Sequence, residues 1–290
     1  MTPNEPRLTR DQQREATREK ARQLREQHKR QEANKKIGIR IAVIVGLVAI
    51  VGGVALAIIN GASNKDQPGS APANMIYNNG IKLGKGLQAF TSTNTPAPNP
   101  SSSVSSDGSV PNIVIYLDYQ CPVCQGFESA NSEQIRKWVE SGAATLEVHP
   151  ISFLDGRASP NTYSSRAANA ALCVANYAPD KFFDFSALLF EHQPAEQTAG
   201  PENPELLQRI QEAGVNVNSN VTSCVNNKSY GKWLTDATNK ALTEKVQGTD
   251  LTVDGTPFVL VNGQKYTFST NEELTSPARF AQFVQMAAKL

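Results

Sequence analysis

The sequence is poor in cysteine and histidine, with four and three residues among 290. Four cysteines are too few for a small fold built on disulfides, and a chain of this length can bury a core of its own. The chain also lacks an excess of charge of either sign, because 28 Lys and Arg residues are nearly balanced by 27 Asp and Glu residues. Without a dominant positive charge the chain has no general attraction for phosphates, which disfavours nucleic-acid binding. No phosphate-binding loop, Ser-His-Asp pattern or paired-carboxylate motif stands out.

The near-zero net charge is the sum of a basic N-terminal segment and an acidic remainder. Residues 1–40 carry twelve Lys or Arg against six Asp or Glu, which leaves the rest of the chain mildly acidic. Residues 41–59 then contain only Ile, Val, Leu, Ala and Gly. As a helix this segment measures about 28 Å, close to the hydrocarbon thickness of a bilayer. It predicts one transmembrane helix, since a buried core helix or a signal peptide rarely has so long an apolar run.

The charges beside the span predict its orientation. Lys35, Lys36 and Arg40 precede it, whereas residues 60–63 are uncharged. By the positive-inside rule the charged leader at 1–40 stays in the cytoplasm and everything after the span is extracytoplasmic. Residues 60–110 are rich in Ser, Asn, Pro, Gly and Thr. They predict a flexible tether at the cell membrane, with a short strand or hairpin at 75–90 around Asn-Gly.

A Cys-Pro-Val-Cys motif at 121–124 follows an apolar run at 112–119 and precedes an amphipathic pattern at 125–140. The order is therefore strand, Cys-x-x-Cys, helix. At a helix start the first thiol meets unpaired backbone N–H groups and the positive end of the helix dipole, both of which stabilise a thiolate. We therefore expect Cys121 to be the exposed attacking sulfur and Cys124, one turn later, to resolve the mixed disulfide.

A structural zinc site is the alternative reading of the motif. Such a site needs four ligands, usually from a second paired unit. Cys173 and Cys224 stand alone in the sequence, and the histidines are unpaired. No metal is therefore expected at 121–124.

The motif Asp118-Tyr119-Gln120-Cys121-Pro122-Val123-Cys124, together with the distant Gly255-Thr256-Pro257, resembles the DsbA-like branch of the thioredoxin superfamily. More narrowly, the layout resembles membrane-anchored, exported members from actinobacteria. The resemblance covers 111–290 and implies an α/β thioredoxin fold with a helical insertion at about 159–244. It also implies that the Thr256–Pro257 bond is cis and faces Cys121, with Pro122 and Val123 supporting the site.

The resemblance implies a thiol:disulfide oxidoreductase that forms disulfides in unfolded exported proteins and needs no cofactor. It further implies a quinone-linked membrane partner of the DsbB or vitamin K epoxide reductase-like type for reoxidation. Two departures leave the direction of electron flow open: Val123 stands where strong oxidases of the family carry His, and Ile115 stands where thioredoxins carry a buried acid. A reductase or isomerase therefore stays an alternative, as does a catalytically silent binding module.

Three further residue types need an interpretation. Cys173 and Cys224 lie in the predicted insertion, and in an oxidising compartment a structural disulfide between them is favoured over two buried free thiols. Asp118 is expected to be an ordinary residue of the family pattern rather than a catalytic base. His149, beside a strand end, is expected to be structural.

Overall fold

A computed structural model describes residues 70–91, 110–155 and 162–289, which lie in one compact unit spanning Pro68–Leu290. The predicted leader, the predicted span at 41–59 and much of the predicted tether fall outside the described residues. Within the described ranges, no helix has the length and apolar character needed to cross a membrane.

One mixed sheet forms the centre of the fold. Its strands are β1 (Ile81–Gly84), β2 (Gln88–Ala89), β3 (Asn112–Leu117), β4 (Thr145–Pro150), β5 (Phe258–Val261) and β6 (Gln264–Lys265). In space their order is β2-β1-β4-β3-β5-β6. β3 and β4 are parallel, whereas the other neighbouring strands are antiparallel. The Asn262-Gly263 turn between β5 and β6 has positive φ at both residues, as a tight hairpin requires.

The described part of the chain also contains eight α-helices. They are α1 (Pro122–Ser141), α2 (Tyr163–Tyr177), α3 (Phe182–Glu191), α4 (Asn203–Glu212), α5 (Ser219–Asn226), α6 (Gly231–Thr243), α7 (Asn271–Leu274) and α8 (Pro277–Ala287). Helices α2 to α6 form the insertion between β4 and β5. This α/β arrangement confirms the thioredoxin fold predicted from the sequence.

The two faces of β3 bury different sets of side chains, because successive residues of a strand point to opposite faces. Ile113, Ile115 and Leu117 belong to the large core shared with α1 and the insertion. Val114 and Tyr116 belong to a smaller core on the other face. β3 is therefore buried on both sides, which explains its uninterrupted apolar sequence.

The segment before the domain adds strand β1 to the sheet edge. β1 pairs with β4, and the Asn74 side chain donates to the carbonyl of Ala175 at the end of α2. The Ala89 N–H donates to the carboxylate of Asp180, at 2.8 Å. This part of the predicted tether is thus folded, and it connects the sheet edge to the helical insertion.

Cys173 on α2 and Cys224 on α5 form a disulfide, with their Cα atoms 5.9 Å apart. The bond joins two helices of the insertion across 51 residues of sequence. His149 lies on the smaller core face, where its ring stacks on Tyr116 and its Nε2 is 2.7 Å from a carboxylate oxygen of Glu147. That buried pairing gives His149 a structural position.

Candidate active site

Helix α1 begins at the cysteine motif. Cys121 is its N-cap, and its Sγ accepts a hydrogen bond from the Cys124 N–H at 3.4 Å. Pro122 occupies the first helical turn, where its missing N–H costs no helical hydrogen bond. The Cys121 N–H donates to the carbonyl of Asp118, which closes the turn from β3 into the helix. The strand, turn and cap together fix the sulfur of Cys121 at the positive end of α1.

Both cysteines are free thiols, and they differ little in exposure. Cys121 is 5% exposed and Cys124 is fully buried, so the expectation of an openly exposed Cys121 is wrong. Val123 is 40% exposed and Pro122 is also exposed, so an apolar surface lies directly beside the reactive pair.

The fold brings the second predicted motif to the first. The Thr256–Pro257 peptide bond is cis, and the Cys121 thiol donates to the carbonyl of Thr256 at 3.3 Å across 135 residues of sequence. The Thr256 hydroxyl oxygen is buried and has no hydrogen-bond partner within the described residues. The loop before β5 therefore forms one wall of the site, and α1 forms the other.

The surroundings separate the pKa values of the two thiols. Hydrogen bonds from the Cys124 thiol and from the Cys124 backbone N–H lower the pKa of Cys121 to about 7, although burial opposes this change. Burial raises the pKa of Cys124 well above the ordinary value of a thiol, and its interaction with Cys121 adds to the effect. Only Cys121 is therefore able to supply a thiolate near neutral pH.

Glutamine side chains of the site hold the reactive turn, and the sequence analysis missed their role. The Gln193 amide group, just beyond α3, donates to the carbonyls of Tyr119 and Cys121 at 3.1 and 3.0 Å. Gln120 donates to the carbonyl of Thr198 at 3.1 Å. No sequence signal predicts these contacts, because they depend on how the insertion folds back over the turn.

Asp118 is fully buried at the end of β3. Its Oδ1 accepts hydrogen bonds from the Gln120 N–H and the Ser164 hydroxyl at 2.8 and 2.7 Å, and its Oδ2 accepts one from the Leu154 N–H at 2.9 Å. Burial raises the pKa of Asp118 to about 6, although these hydrogen bonds oppose the change. The residue joins the reactive turn, the segment after β4 and helix α2.

A second acid lies behind the pair. Glu128, one helical turn after Cys124 on α1, lines a small cavity together with Ile115, Leu117 and Phe182. Burial raises the pKa of Glu128 to about 7. Thioredoxins carry their buried acid at the strand position that Ile115 occupies here. In this protein the carboxyl group that lines the cavity comes instead from helix α1. The i, i+4 spacing from Cys124 is the signal that could have identified it.

Comparison with known families identifies the fold of this site. A family model described as thioredoxin matches residues 106–283, which is more than half of the chain. The chain belongs to the thioredoxin family. No curated protein sequence matches it.

Solved structures of the same family share this architecture. The reduced disulfide oxidoreductase DsbG of Mycobacterium tuberculosis is 28% identical, with a TM-score of 0.53 over 73% of this chain and 88% of that one. Reduced DsbA of the same organism is 26% identical, with a TM-score of 0.50 over 72% and 98%. The oxidoreductase MdbA of Corynebacterium diphtheriae, at 17% identity, shares the fold with a TM-score of 0.51 over 78% and 96%.

These likenesses confirm the resemblance drawn from the sequence, and this thioredoxin-family chain is a DsbA-like thiol:disulfide oxidoreductase. The chemistry of the site fits that class, because one ionisable thiol lies beside a buried second thiol. Among the residues that the structure describes, no group of three His, Cys, Asp or Glu side chains is placed to hold a metal ion.

Proposed function

We propose that this protein is a membrane-tethered, extracytoplasmic oxidase that introduces disulfides into exported proteins as they emerge unfolded. The observation that carries the proposal is the contrast between the two thiols of the pair: the pKa of Cys121 is lowered to about 7, and that of Cys124 is raised. Stabilising the Cys121 thiolate relative to an ordinary thiol favours the reduced form of the enzyme and so raises the reduction potential of the pair. A pKa of about 7 is nevertheless that of thioredoxin rather than that of DsbA, so the potential itself has to decide the direction.

In the proposed reaction the oxidised enzyme holds a Cys121–Cys124 disulfide. A substrate thiolate attacks the sulfur of Cys121, a mixed disulfide forms, and Cys124 leaves as a thiolate that takes up a proton. A second substrate thiolate then attacks the substrate sulfur of the mixed disulfide and releases Cys121 as a thiolate. Two electrons pass from the substrate thiols to the enzyme, and the substrate gains one disulfide.

The loop at Thr256 and the exposed Val123 supply the surface for the substrate chain. An extended peptide beside the cis Thr256–Pro257 bond can form backbone hydrogen bonds with Thr256, which would align its cysteine with Cys121. Val123 offers an apolar contact without charge. This surface would bind the backbone of a substrate peptide rather than particular side chains, which suits an enzyme acting on many unfolded substrates.

The proposed location rests on the sequence alone. The apolar run at 41–59 and the basic residues before it support a single-pass anchor with the catalytic domain outside the cell membrane. An oxidase in that position needs reoxidation after each turnover. We assign this step to a quinone-linked membrane protein of the DsbB or vitamin K epoxide reductase-like type, which would accept the two electrons from the reduced pair.

A trapping experiment tests the roles of the two cysteines. Cys124→Ala is expected to accumulate mixed disulfides with reduced, unfolded substrate proteins, because nothing in the enzyme resolves them. Cys121→Ala is expected to trap none and to lose all activity in the oxidative refolding of a reduced ribonuclease. Trapping by Cys121→Ala instead would reverse the assignment. Unchanged refolding activity in that variant would favour the binding-module alternative.

The reduction potential of the pair decides between oxidase and reductase. Thioredoxin lies near −270 mV and DsbA near −120 mV. The oxidase proposal expects a value much closer to the second, measured on the full-length protein in detergent. The reductase alternative has an observation in its favour, since Val123 supplies no positive charge to the thiolate. A potential near that of thioredoxin would establish the reductase.

A further inference from the structure

Asp118 is held in one position beside the reactive pair. Its carboxylate accepts three hydrogen bonds from separate parts of the fold: the reactive turn through Gln120, the segment after β4 through Leu154, and helix α2 through Ser164. Its backbone carbonyl accepts a fourth, from the N–H of Cys121. These hydrogen bonds fix the position of the carboxylate and oppose the rise in the pKa of Asp118 that burial causes.

Within the described residues, no Lys, Arg or His forms an ion pair with Asp118. The titratable groups that influence it or feel its charge are Asp155 from the segment after β4, Tyr163 from α2, and the two thiols of α1. Charge inside a protein acts over longer distances than surface charge, because little water screens it.

The direction of the effect on the pair follows from the sign of the charge. Ionised Asp118 raises the pKa of Cys121 and that of Cys124. In the disulfide neither sulfur carries a charge, whereas the reduced pair carries a negative charge on Cys121. Asp118 therefore destabilises the reduced pair and leaves the disulfide unaffected.

We propose that Asp118 sets the redox equilibrium of the Cys121–Cys124 pair, by holding a buried negative charge beside the site where the reduced enzyme forms its thiolate. Asp118 is a positioning residue, since it acts through Cys121 and does not itself exchange electrons. The inference rests on the proposed function only in taking Cys121 as the thiolate. It makes the enzyme a milder oxidant than its helix N-terminus alone would produce.

The equilibrium with glutathione measures this effect directly. One enzyme disulfide and two glutathione thiols give the Cys121 thiolate, the Cys124 thiol, one glutathione disulfide and one proton. The full-length protein in detergent is equilibrated in defined glutathione buffers, quenched in acid and alkylated, and the reduced fraction is read by mass. No protein substrate takes part, so the result is independent of whether the enzyme acts as an oxidase or a reductase.

Asp118→Asn removes the charge and keeps the shape and one oxygen acceptor. At pH 8 the equilibrium constant is expected to move toward the reduced enzyme by about threefold to tenfold. The same substitution is expected to lower the pH midpoint for alkylation of Cys121. At pH 4.5, where Asp118 and Cys121 are both neutral in the wild type, the two proteins are expected to agree. An equilibrium constant that is unchanged, or shifted equally at both pH values, would overturn the proposal.

Ser164→Ala is the matched control. It removes one of the three hydrogen bonds to the carboxylate but keeps the charge. We expect it to lower stability without moving the alkylation midpoint of Cys121 or the equilibrium constant at pH 8. If Ser164→Ala shifts both quantities as much as Asp118→Asn does, the hydrogen-bond network and not the charge sets the equilibrium.

A measurement on the wild type keeps the proposal testable if Asp118→Asn fails to fold. Coupling between two sites is reciprocal, so a charge that opposes the Cys121 thiolate is itself opposed by that thiolate. The Asp118 carboxyl, followed by carbon-13 NMR, is therefore expected to have a higher pKa in the reduced protein than in the oxidised protein. Equal values in the two redox states would overturn the inference.

Discussion

Glu128 offers the sharpest test of the electrostatics behind the reactive helix. It is partly buried on α1, where it lines a cavity whose other walls include Ile115, Leu117 and Phe182. In the described part of the chain no side chain pairs with its carboxyl group. Burial alone raises the pKa of Glu128, from 4.5 to about 7. The folded protein therefore prefers the neutral acid.

The effect on stability follows from the two pKa values. Below about pH 4.5 the carboxyl is neutral in both the folded and the unfolded chain, so it costs the fold nothing. Between 4.5 and 7 the unfolded chain ionises first, and the folded state loses stability as the pH rises. At about 1.4 kcal/mol per pKa unit, the shift from 4.5 to about 7 sets an upper limit of about 3.5 kcal/mol on the full loss. Because Glu128 is partly accessible to solvent, we expect about 1–2 kcal/mol.

Glu128→Gln removes the ionisation and keeps the size of the side chain. We expect the variant to exceed the wild type in unfolding free energy by about 1–2 kcal/mol at pH 8 and to match it at pH 4.5. Urea unfolding followed by circular dichroism at several pH values measures both, with all samples in the oxidised form. Glu133→Gln is the control, because Glu133 lies on the same helix but is exposed and paired with Lys137. It is expected to show no gain at pH 8.

The reasoning about Glu128 would be refuted by either of two results. A variant no more stable than the wild type at pH 8 would mean that solvent stabilises the carboxylate in the folded protein. An equal gain at pH 4.5 and pH 8 would mean that the amide packs better than the acid, with no part played by charge. A similar gain in Glu133→Gln would point to the net charge of the protein instead of the cavity.

Two further predictions concern the insertion. Replacing Cys173 and Cys224 together by Ala is expected to lower the unfolding free energy by up to about 4 kcal/mol, because the disulfide closes a loop of 51 residues; an unchanged urea midpoint would contradict this. Gln193→Ala, which frees the carbonyls of Tyr119 and Cys121, is expected to slow disulfide exchange several-fold with less than about 1 kcal/mol lost in stability. Stopped-flow kinetics with a model peptide thiol measure the rate, and an unaltered rate would show that the turn keeps its shape without Gln193.

Local sequence signals predicted the parts of the site that are close together in the chain. The apolar run of β3, the cysteine motif and the amphipathic helix α1 are consecutive, so periodicity and capping chemistry were enough. The position of Thr256 opposite Cys121 came instead from a family resemblance. The structure has the cis bond there and places the Thr256 carbonyl 3.3 Å from the Cys121 sulfur.

The rest of the site depends on where the insertion packs, and no local pattern contains that information. Ser164 reaches Asp118 across 46 residues, and Gln193 reaches Tyr119 across 74. The near-complete burial of Cys121 also requires a distant segment to cover the helix start, and no local pattern indicates which segment does so. Sequence reasoning therefore predicted the pair of cysteines and missed the groups that surround it.

The reactivity of Cys121 depends on the balance between surrounding groups that lower its pKa and surrounding groups that raise it. Hydrogen bonds from the Cys124 thiol and from the helix start lower its pKa, while burial and the charge of Asp118 raise it, with a result of about 7. An attacking thiol works best when its pKa lies near the ambient pH, because a lower pKa increases the thiolate fraction but weakens the nucleophile. A lower pKa would also make Cys121 a better leaving group and the pair a stronger oxidant. The opposing charge of Asp118 thus limits oxidising power and preserves the nucleophilicity of the Cys121 thiolate.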